Sequence, residues 1–337
     1  MIKTVSIEEA LQLKNVAFID TRTPKEFAED HLPNAINLPI LSNEERHLVG
    51  ITYKQASQEK AVEQGLSYFS KKLPEFINEV NKYKNQQIIF YCWRGGMRSR
   101  AVTALLDSLG YNVLQLEGGY KSFRKFVQER LNTYNLNQKI IVLWGLTCTG
   151  KTELLNQFSN SIDLEGLAQH RGSLYGAIGL QPVSQKRFEN LLWQKLEQLK
   201  QEKIILIEGE SRKIGNAQIP LFLYKKMLQG TPILITRSLD QRAEYAVKNY
   251  FKDNLSLEQI KSITRKLPKL LSSKQKQEII GLIDNRQLAA AAQMLLKFYY
   301  DPLYSHTLKQ LKFSYEINNN DPKEAAVCLS EIITKMS

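Results

Sequence analysis

Gly145-Leu146-Thr147-Cys148-Thr149-Gly150-Lys151-Thr152 lies between the apolar run Lys139 to Trp144 and a helix-like run extending through Phe158. It fits G-x-x-x-x-G-K-[ST] at every fixed position. A strand that is apolar along its length must be covered on both faces, which calls for a parallel sheet flanked by helices. The loop that follows turns its backbone N–H groups toward an anion at the helix start. Gly145 and Gly150 allow the tight path, Lys151 supplies a point charge, and the Thr152 hydroxyl can hold Mg²⁺. Cys148 stands where many such loops carry glycine. Either its larger side chain restricts the loop or it is a tolerated small residue.

A second strand, loop and helix occurs upstream, at Ile88-Ile89-Phe90-Tyr91-Cys92-Trp93-Arg94-Gly95-Gly96-Met97-Arg98-Ser99. Here the strand stops at a cysteine. Buried structural cysteines seldom sit among glycines and arginines. A thiol facing loop amides, a helix start and the guanidinium groups of Arg94 and Arg98 favours its anion. Cys92 is therefore a candidate nucleophile.

Each loop belongs to its own α/β segment. From Val5 to about Asn132, strands at Val16–Asp20, Ile36–Leu38, Gln87–Tyr91 and Val113–Leu116 alternate with helices. Thr23 and Pro24 open one helix, and another runs from Arg98 to Leu109. Residues 41–79 form an insertion rich in Lys, Glu and Gln, with a helix expected over Ala61–Ser70. Residues 1–132 thus make one domain, the Asn-rich stretch to Asn137 the linker, and 138–337 a second domain. In the latter, Ile204–Glu208 and Pro232–Ile235 are further strands, and the pattern is mainly helical from Arg242 onward.

Composition narrows the function. No apolar stretch approaches membrane-spanning length, and the first residues carry no basic-then-apolar leader, so a cytoplasmic location is expected. Three separated cysteines make neither a disulfide framework nor a zinc site. A formal net charge of +12 points to a polyanionic partner, nucleic acid before membrane. Lysines concentrate from Lys261 to Lys276, including Lys266 and Lys269.

Two clusters should flank the phosphate loop, because segments just beyond strand ends line the crevice of such folds. One is Asp163-Leu164-Glu165-Gly166-Leu167-Ala168-Gln169-His170-Arg171-Gly172-Ser173, and the other is Glu208-Gly209-Glu210-Ser211-Arg212-Lys213. Arg171 and Arg212 are candidate phosphate clamps. Glu208 or Glu210 is a candidate Mg²⁺ ligand at the strand end. His170 is either an acid–base group or a structural hydrogen-bonding residue.

Asp20-Thr21-Arg22 with Pro24, Glu26 and Phe27, then His31-Leu32-Pro33-Asn34-Ala35, the Cys92 loop and Glu117-Gly118-Gly119-Tyr120 together resemble a rhodanese (sulfurtransferase) domain. The Cys92 loop has one residue more than the common C-x-x-G-x-R-S. With the phosphate loop, the two clusters, Leu41 to Arg46 and Ile214-Gly215, nearly the whole chain resembles the tRNA 2-selenouridine synthase family. The resemblance implies a rhodanese-like parallel-sheet domain followed by a P-loop NTPase-like α/β domain with C-terminal helices. It implies replacement of sulfur by selenium in wobble 2-thiouridine of tRNAs for Lys, Glu and Gln. Selenophosphate, made by selenophosphate synthase, is the donor, and S-geranylation from geranyl diphosphate precedes exchange. By the same resemblance Cys92, with Arg94 and Arg98, carries or delivers selenium. Gly145, Gly150, Lys151, Thr152, Arg171 and Arg212 hold the diphosphate, with Mg²⁺ at Thr152 and Glu208. Lys266 and Lys269 contact tRNA phosphates, and Trp93 stacks on a base or packs locally. ATP is not required by this scheme, though the loop alone does not distinguish it from geranyl diphosphate.

Three other readings compete: a persulfide- or tRNA-directed sulfurtransferase coupled to an ATPase, a cysteine phosphatase, and a non-catalytic RNA-binding module. The Cys92-to-Arg98 spacing suits a phosphatase, but Tyr91 stands where those enzymes usually carry His.

Overall fold

The computed structural model describes residues 2–267 and 270–336. The chain divides into two compact units, Met1–Thr133 and Tyr134–Ser337.

The first unit holds five strands: β1 (Thr4–Val5), β2 (Val16–Asp20), β3 (Ile36–Asn37), β4 (Gln87–Tyr91) and β5 (Val113–Leu116). They form one parallel sheet in the order β1-β5-β4-β2-β3. Asp20 stands opposite Tyr91, so β2 and β4 end level. The residues after β2, β4 and β5 therefore emerge together at one sheet edge. Ile19, Ile88 and Phe90 meet Phe69, Phe76, Val80, Val102 and Leu106 from two covering helices.

The insertion is a helical hairpin, Asn43–Gln55 and Gln58–Asn81. Its second helix is much longer than the expected Ala61–Ser70. It starts at the Ser57 cap and runs through Pro74, because Phe69, Phe76 and Val80 keep one face in the core. The helix after Cys92 is Met97–Ser108, one residue earlier at each end than expected.

The second unit has β6 (Lys139–Trp144), β7 (Ser161–Ile162) and β8 (Ile204–Glu208). A small hairpin of β9 (Lys213–Ile214) and β10 (Ala217–Gln218) follows, then β11 (Thr231–Thr236) and β12 (Tyr315–Asn318). The main sheet is parallel in the order β12-β11-β6-β8-β7. Beyond Arg242 the chain is mainly helical, as expected, but it also holds β12, which the sequence pattern does not single out. Its only buried residue is Ile317, and polar asparagines follow, so the apolar signal of a strand is weak there. The phosphate-loop helix covers only Lys151–Leu155, because the chain turns back toward β7. Helices between Leu239 and Gln310 pack Tyr250, Phe251, Ile260, Leu295, Leu296 and Tyr300 into a second apolar core.

Candidate functional site

In the first unit, the Cys92 loop is held from three sides. Its carbonyl accepts the Tyr120 amide at 2.8 Å, and the Trp93 carbonyl accepts the Lys121 amide at 2.9 Å. The loop can lie this close only because Gly119 has φ +58° and no side chain: a Cβ there would sit 2.3 Å from the Cys92 carbonyl oxygen. Beneath the loop, Gln115 donates to the Gly95 carbonyl at 2.7 Å and to Ser99 Oγ at 3.0 Å. Ser99 Oγ in turn lies 3.3 Å from Cys92 Sγ. Cys92 is buried and lies in the wall of a cleft.

Asp20 and Arg22 form a fully buried ion pair with contacts of 2.6–3.0 Å. The guanidinium also donates to the Asp30 carbonyl at 2.7 Å and lies 4.1 Å over the Tyr120 ring. Removing one partner would leave a bare buried charge, at a cost of about 3–5 kcal/mol. This pair fixes the neighbouring strand ends.

Of the residues expected around Cys92, Arg94 is exposed and Arg98 half-buried, and both line the cleft. Arg98 donates to both oxygens of Glu26, at 2.8 and 3.2 Å. Trp93 packs against Tyr120, ring centroids 5.4 Å apart, and also lines the cleft.

In the second unit, the phosphate loop borders a cavity of about 410 Å³ lined by Gly150, Lys151, Thr152, Glu165, Arg171 and Glu210, among others. Lys151 Nζ donates to the Gly145 and Leu146 carbonyls at 3.1 and 3.4 Å, curled onto its own loop. Arg171 donates to the Ile178 carbonyl at 3.0 Å and stacks over Tyr250. Arg212 does not join this set. It is exposed beside the β9–β10 hairpin, its Nε donating to the Ile219 carbonyl at 3.4 Å. The turn after Glu210 carries it off the cavity wall.

Cys148 has φ +66°, which explains why such loops favour glycine there. Its side chain is anchored against the second apolar core, and burial pushes its thiol up to about 12. Arg242, absent from the sequence-derived set, supports the same turn. Buried, it donates from Nε to the Thr147 carbonyl at 2.8 Å and grips Asp301 at 2.5 and 3.1 Å. Asn319, just past β12, donates to the Thr149 carbonyl at 2.8 Å. Neither residue belongs to a motif, so only the folded chain reveals them.

Four carboxylates gather by the loop. Glu208 is fully buried, with Oε2 3.4 Å from Thr152 Oγ1 and Oε1 accepting the Glu165 amide at 2.7 Å. Burial first, then the charges of Glu165, Asp163 and Glu210, drive its pKa well above the usual carboxylate range. Burial, then Glu210, pushes Glu165 up to about 8. Thr152 and Glu208 are thus brought together as a cation site would need, and a divalent ion would offset the crowded negative charge. Among the described residues no three His, Cys, Asp or Glu side chains converge to hold a metal alone. An ion here would rely on ligand phosphates and water, as Mg²⁺ commonly does.

His170 is wedged against Gly176 and Gly215, and burial, then Arg171, lowers its pKa. That placement suits a structural role. Lys266 is exposed at the end of helix Asn254–Lys266, and Lys269 lies outside the described residues. Among the described residues no helix is long and apolar enough to cross a membrane.

Residues 5–126 match the rhodanese-like domain, and residues 138–279 match the tRNA 2-selenouridine synthase AAA domain. Three similar proteins are each named tRNA 2-selenouridine synthase. The one from Shewanella frigidimarina is 32% identical over 334 residues, 89% of this chain and 90% of that protein. The one from Nitrosomonas europaea is 33% identical over 282 residues, covering 80% and 72%. The one from Pseudomonas savastanoi pv. phaseolicola is 32% identical over 329 residues, covering 88% and 90%. A thiol loop on one sheet, a phosphate loop on another and this end-to-end similarity agree: the chain belongs to the tRNA 2-selenouridine synthase family.

Proposed function

We propose that this protein converts wobble 2-thiouridine in tRNAs for Lys, Glu and Gln to 2-selenouridine in two steps. In the first, the thiocarbonyl sulfur attacks C1 of geranyl diphosphate. The C1–O bond breaks, diphosphate leaves, and N3 loses its proton. In the second, selenium from selenophosphate adds to C2. The C2–S bond breaks, geranylthiolate departs and takes a proton, and hydrolysis of the P–Se bond frees phosphate. Alkylation turns a poor leaving group into a good one.

One observation carries the choice of a prenyl diphosphate. The phosphate-loop cavity shares Thr147, Cys148 and Tyr250 with a narrow slot whose other walls are apolar or aromatic, among them Phe251, Leu296 and Tyr300. The Tyr175 and Tyr300 hydroxyls there already bond Thr264 and Ser173, at 2.9 and 3.0 Å. At about 30 Å³ the slot is too small for a prenyl chain as it stands, but its apolar walls offer little to read the edge of a nucleotide base and would suit a hydrocarbon next to a diphosphate once widened.

Lys151, Arg171 and the loop amides would stabilise the leaving diphosphate. If Mg²⁺ takes part, Thr152 and Glu208 would hold it, and it would neutralise diphosphate charge. Cys92 would hold the incoming selenium in the other unit, and exposed lysines including Lys266 would meet tRNA phosphates. Mass analysis of tRNA nucleosides after incubation with geranyl diphosphate and selenophosphate tests the scheme. The S-geranyl and then the seleno nucleoside should appear, and unchanged 2-thiouridine with both donors present would refute it.

A further inference from the structure

The cleft at Cys92 is unlike what a small inorganic donor requires. It has a volume of about 640 Å³, and apolar side chains dominate its walls: Leu41, Val49, Ile51, Tyr53, Trp93 and Met97. It continues into a groove of about 710 Å³ between the insertion hairpin and helix Met97–Ser108, reaching Leu66 and Gly65. Tyr53, Leu66 and Met97 are each more than half exposed. Large apolar side chains on a soluble surface are normally scattered, and a contiguous set marks a binding site.

Gly65 adds a second sign. It lies inside helix Gln58–Asn81, where glycine weakens a helix, yet nothing lies within 4 Å of where its Cβ would be. No packing contact calls for the missing side chain, and its absence keeps the groove wide. The rim is cationic, with Arg46, Lys54 and Arg94 among the lining residues. An anionic ligand with a hydrocarbon arm, and its reacting carbon beside the selenium held at Cys92, satisfies rim, walls and thiol loop together.

We infer that this cleft and groove seat the prenyl chain of the S-geranylated nucleoside while selenium displaces it at Cys92. The inference rests on the two-step reaction proposed above and adds a hydrocarbon site in the rhodanese-like unit, distinct from the slot beside the phosphate loop. The insertion hairpin would then be a substrate-recognition element, and geranylthiol would leave along the groove.

Equilibrium dialysis of the full chain against S-geranyl- and S-methyl-2-thiouridine nucleosides tests this. The geranyl form should bind at least about tenfold tighter, which burial of only a couple of methylenes would supply. Gly65→Phe, which fills the groove, and Tyr53→Ser combined with Leu66→Ser, which strips its walls, should each abolish that preference while the melting temperature stays near the parent's. A preference that survives both variants, or that is lost on Leu296→Gln instead, overturns the inference. So does sedimentation showing a dimer that the Tyr53→Ser, Leu66→Ser variant dissociates, because a second copy would then cover the face. If the preference behaves as expected but selenophosphate leaves S-geranyl tRNA unconverted, the seat stands and the two-step reading falls.

Discussion

Arg98 and Glu26 clasp each other through two hydrogen bonds, 2.8 and 3.2 Å long, joining the helix after the Cys92 loop to the helix after β2. Burial acts to raise the Glu26 carboxyl, but the bonds and charge of Arg98 outweigh it and hold the pKa below the usual range. Arg98 therefore positions the loop first, whatever charge it also lends to an anion at Cys92. Glu26→Gln should cost about 1–3 kcal/mol, read as a lower urea midpoint at neutral pH. A depressed pKa contributes stability above the group's ordinary value of 4.5, and that stability is lost as pH falls through the folded pKa. The variant should therefore lose less stability than the parent on acidification, and identical acid profiles would contradict the pair's role.

Separation of the two loops onto two sheets predicts separable activities. Cys92→Ala should abolish selenium incorporation and leave S-geranylation of 2-thiouridine tRNA nearly intact. Loss of both in a folded variant, judged by circular dichroism, would refute the division.

Lys151→Ala should cut geranylation by about two orders of magnitude, the usual scale for removing a preorganised charge-stabilising donor. Chemically S-geranylated tRNA should still be converted by this variant. Arg242→Ala acts one step removed. It leaves Asp301, which is partly exposed, without its partner and the Thr147 carbonyl without its donor, at a cost of about 1–3 kcal/mol in unfolding free energy.

The half-buried Cys148 thiol, pushed up to about 12 chiefly by desolvation, stays protonated at ordinary pH. Iodoacetamide at pH 8 should label the exposed Cys328 and spare Cys148 in the native protein, with labelled peptides read by mass spectrometry. Prompt native-state labelling of Cys148 would mean the loop opens.

Glu165 carries the opposite sign of linkage from Glu26. Its folded pKa of about 8 lies above its ordinary 4.5, so its contribution is complete below 4.5 and is lost as pH rises through 8. Urea midpoints should fall over that interval, and Glu165→Gln should make the fall shallower. If Mg²⁺ occupies this cluster with diphosphate, adding both should also flatten the slope.

The fold is legible in the sequence where one signal dominates. β2, β4, β6 and β8 are long apolar runs that stop at glycine-rich or charged turns, and each lies where its pattern places it. Both loops follow from the same logic, because a glycine-rich turn after a buried strand has few conformations. The failures share a cause as well. β12 has one buried residue, Arg242 looks like any helical arginine, and the length of helix Gln58–Asn81 is set by tertiary packing that overrides Pro74. Arg212 adjoins a recognisable cluster, yet the backbone turn after Glu210 decides where it points.

The hydrogen bond from Asn319 to Thr149 spans 170 residues of sequence. During synthesis the phosphate loop emerges long before the strand that leads to its last support. A ribosome-bound intermediate ending before β12 would carry the complete motif without that tether, and β11 would have an open edge in place of its partner. The nascent chain would thus pass through an interval in which the phosphate loop is spelled out but unfinished. The loop would gain this tether only once β12 and Asn319 have emerged.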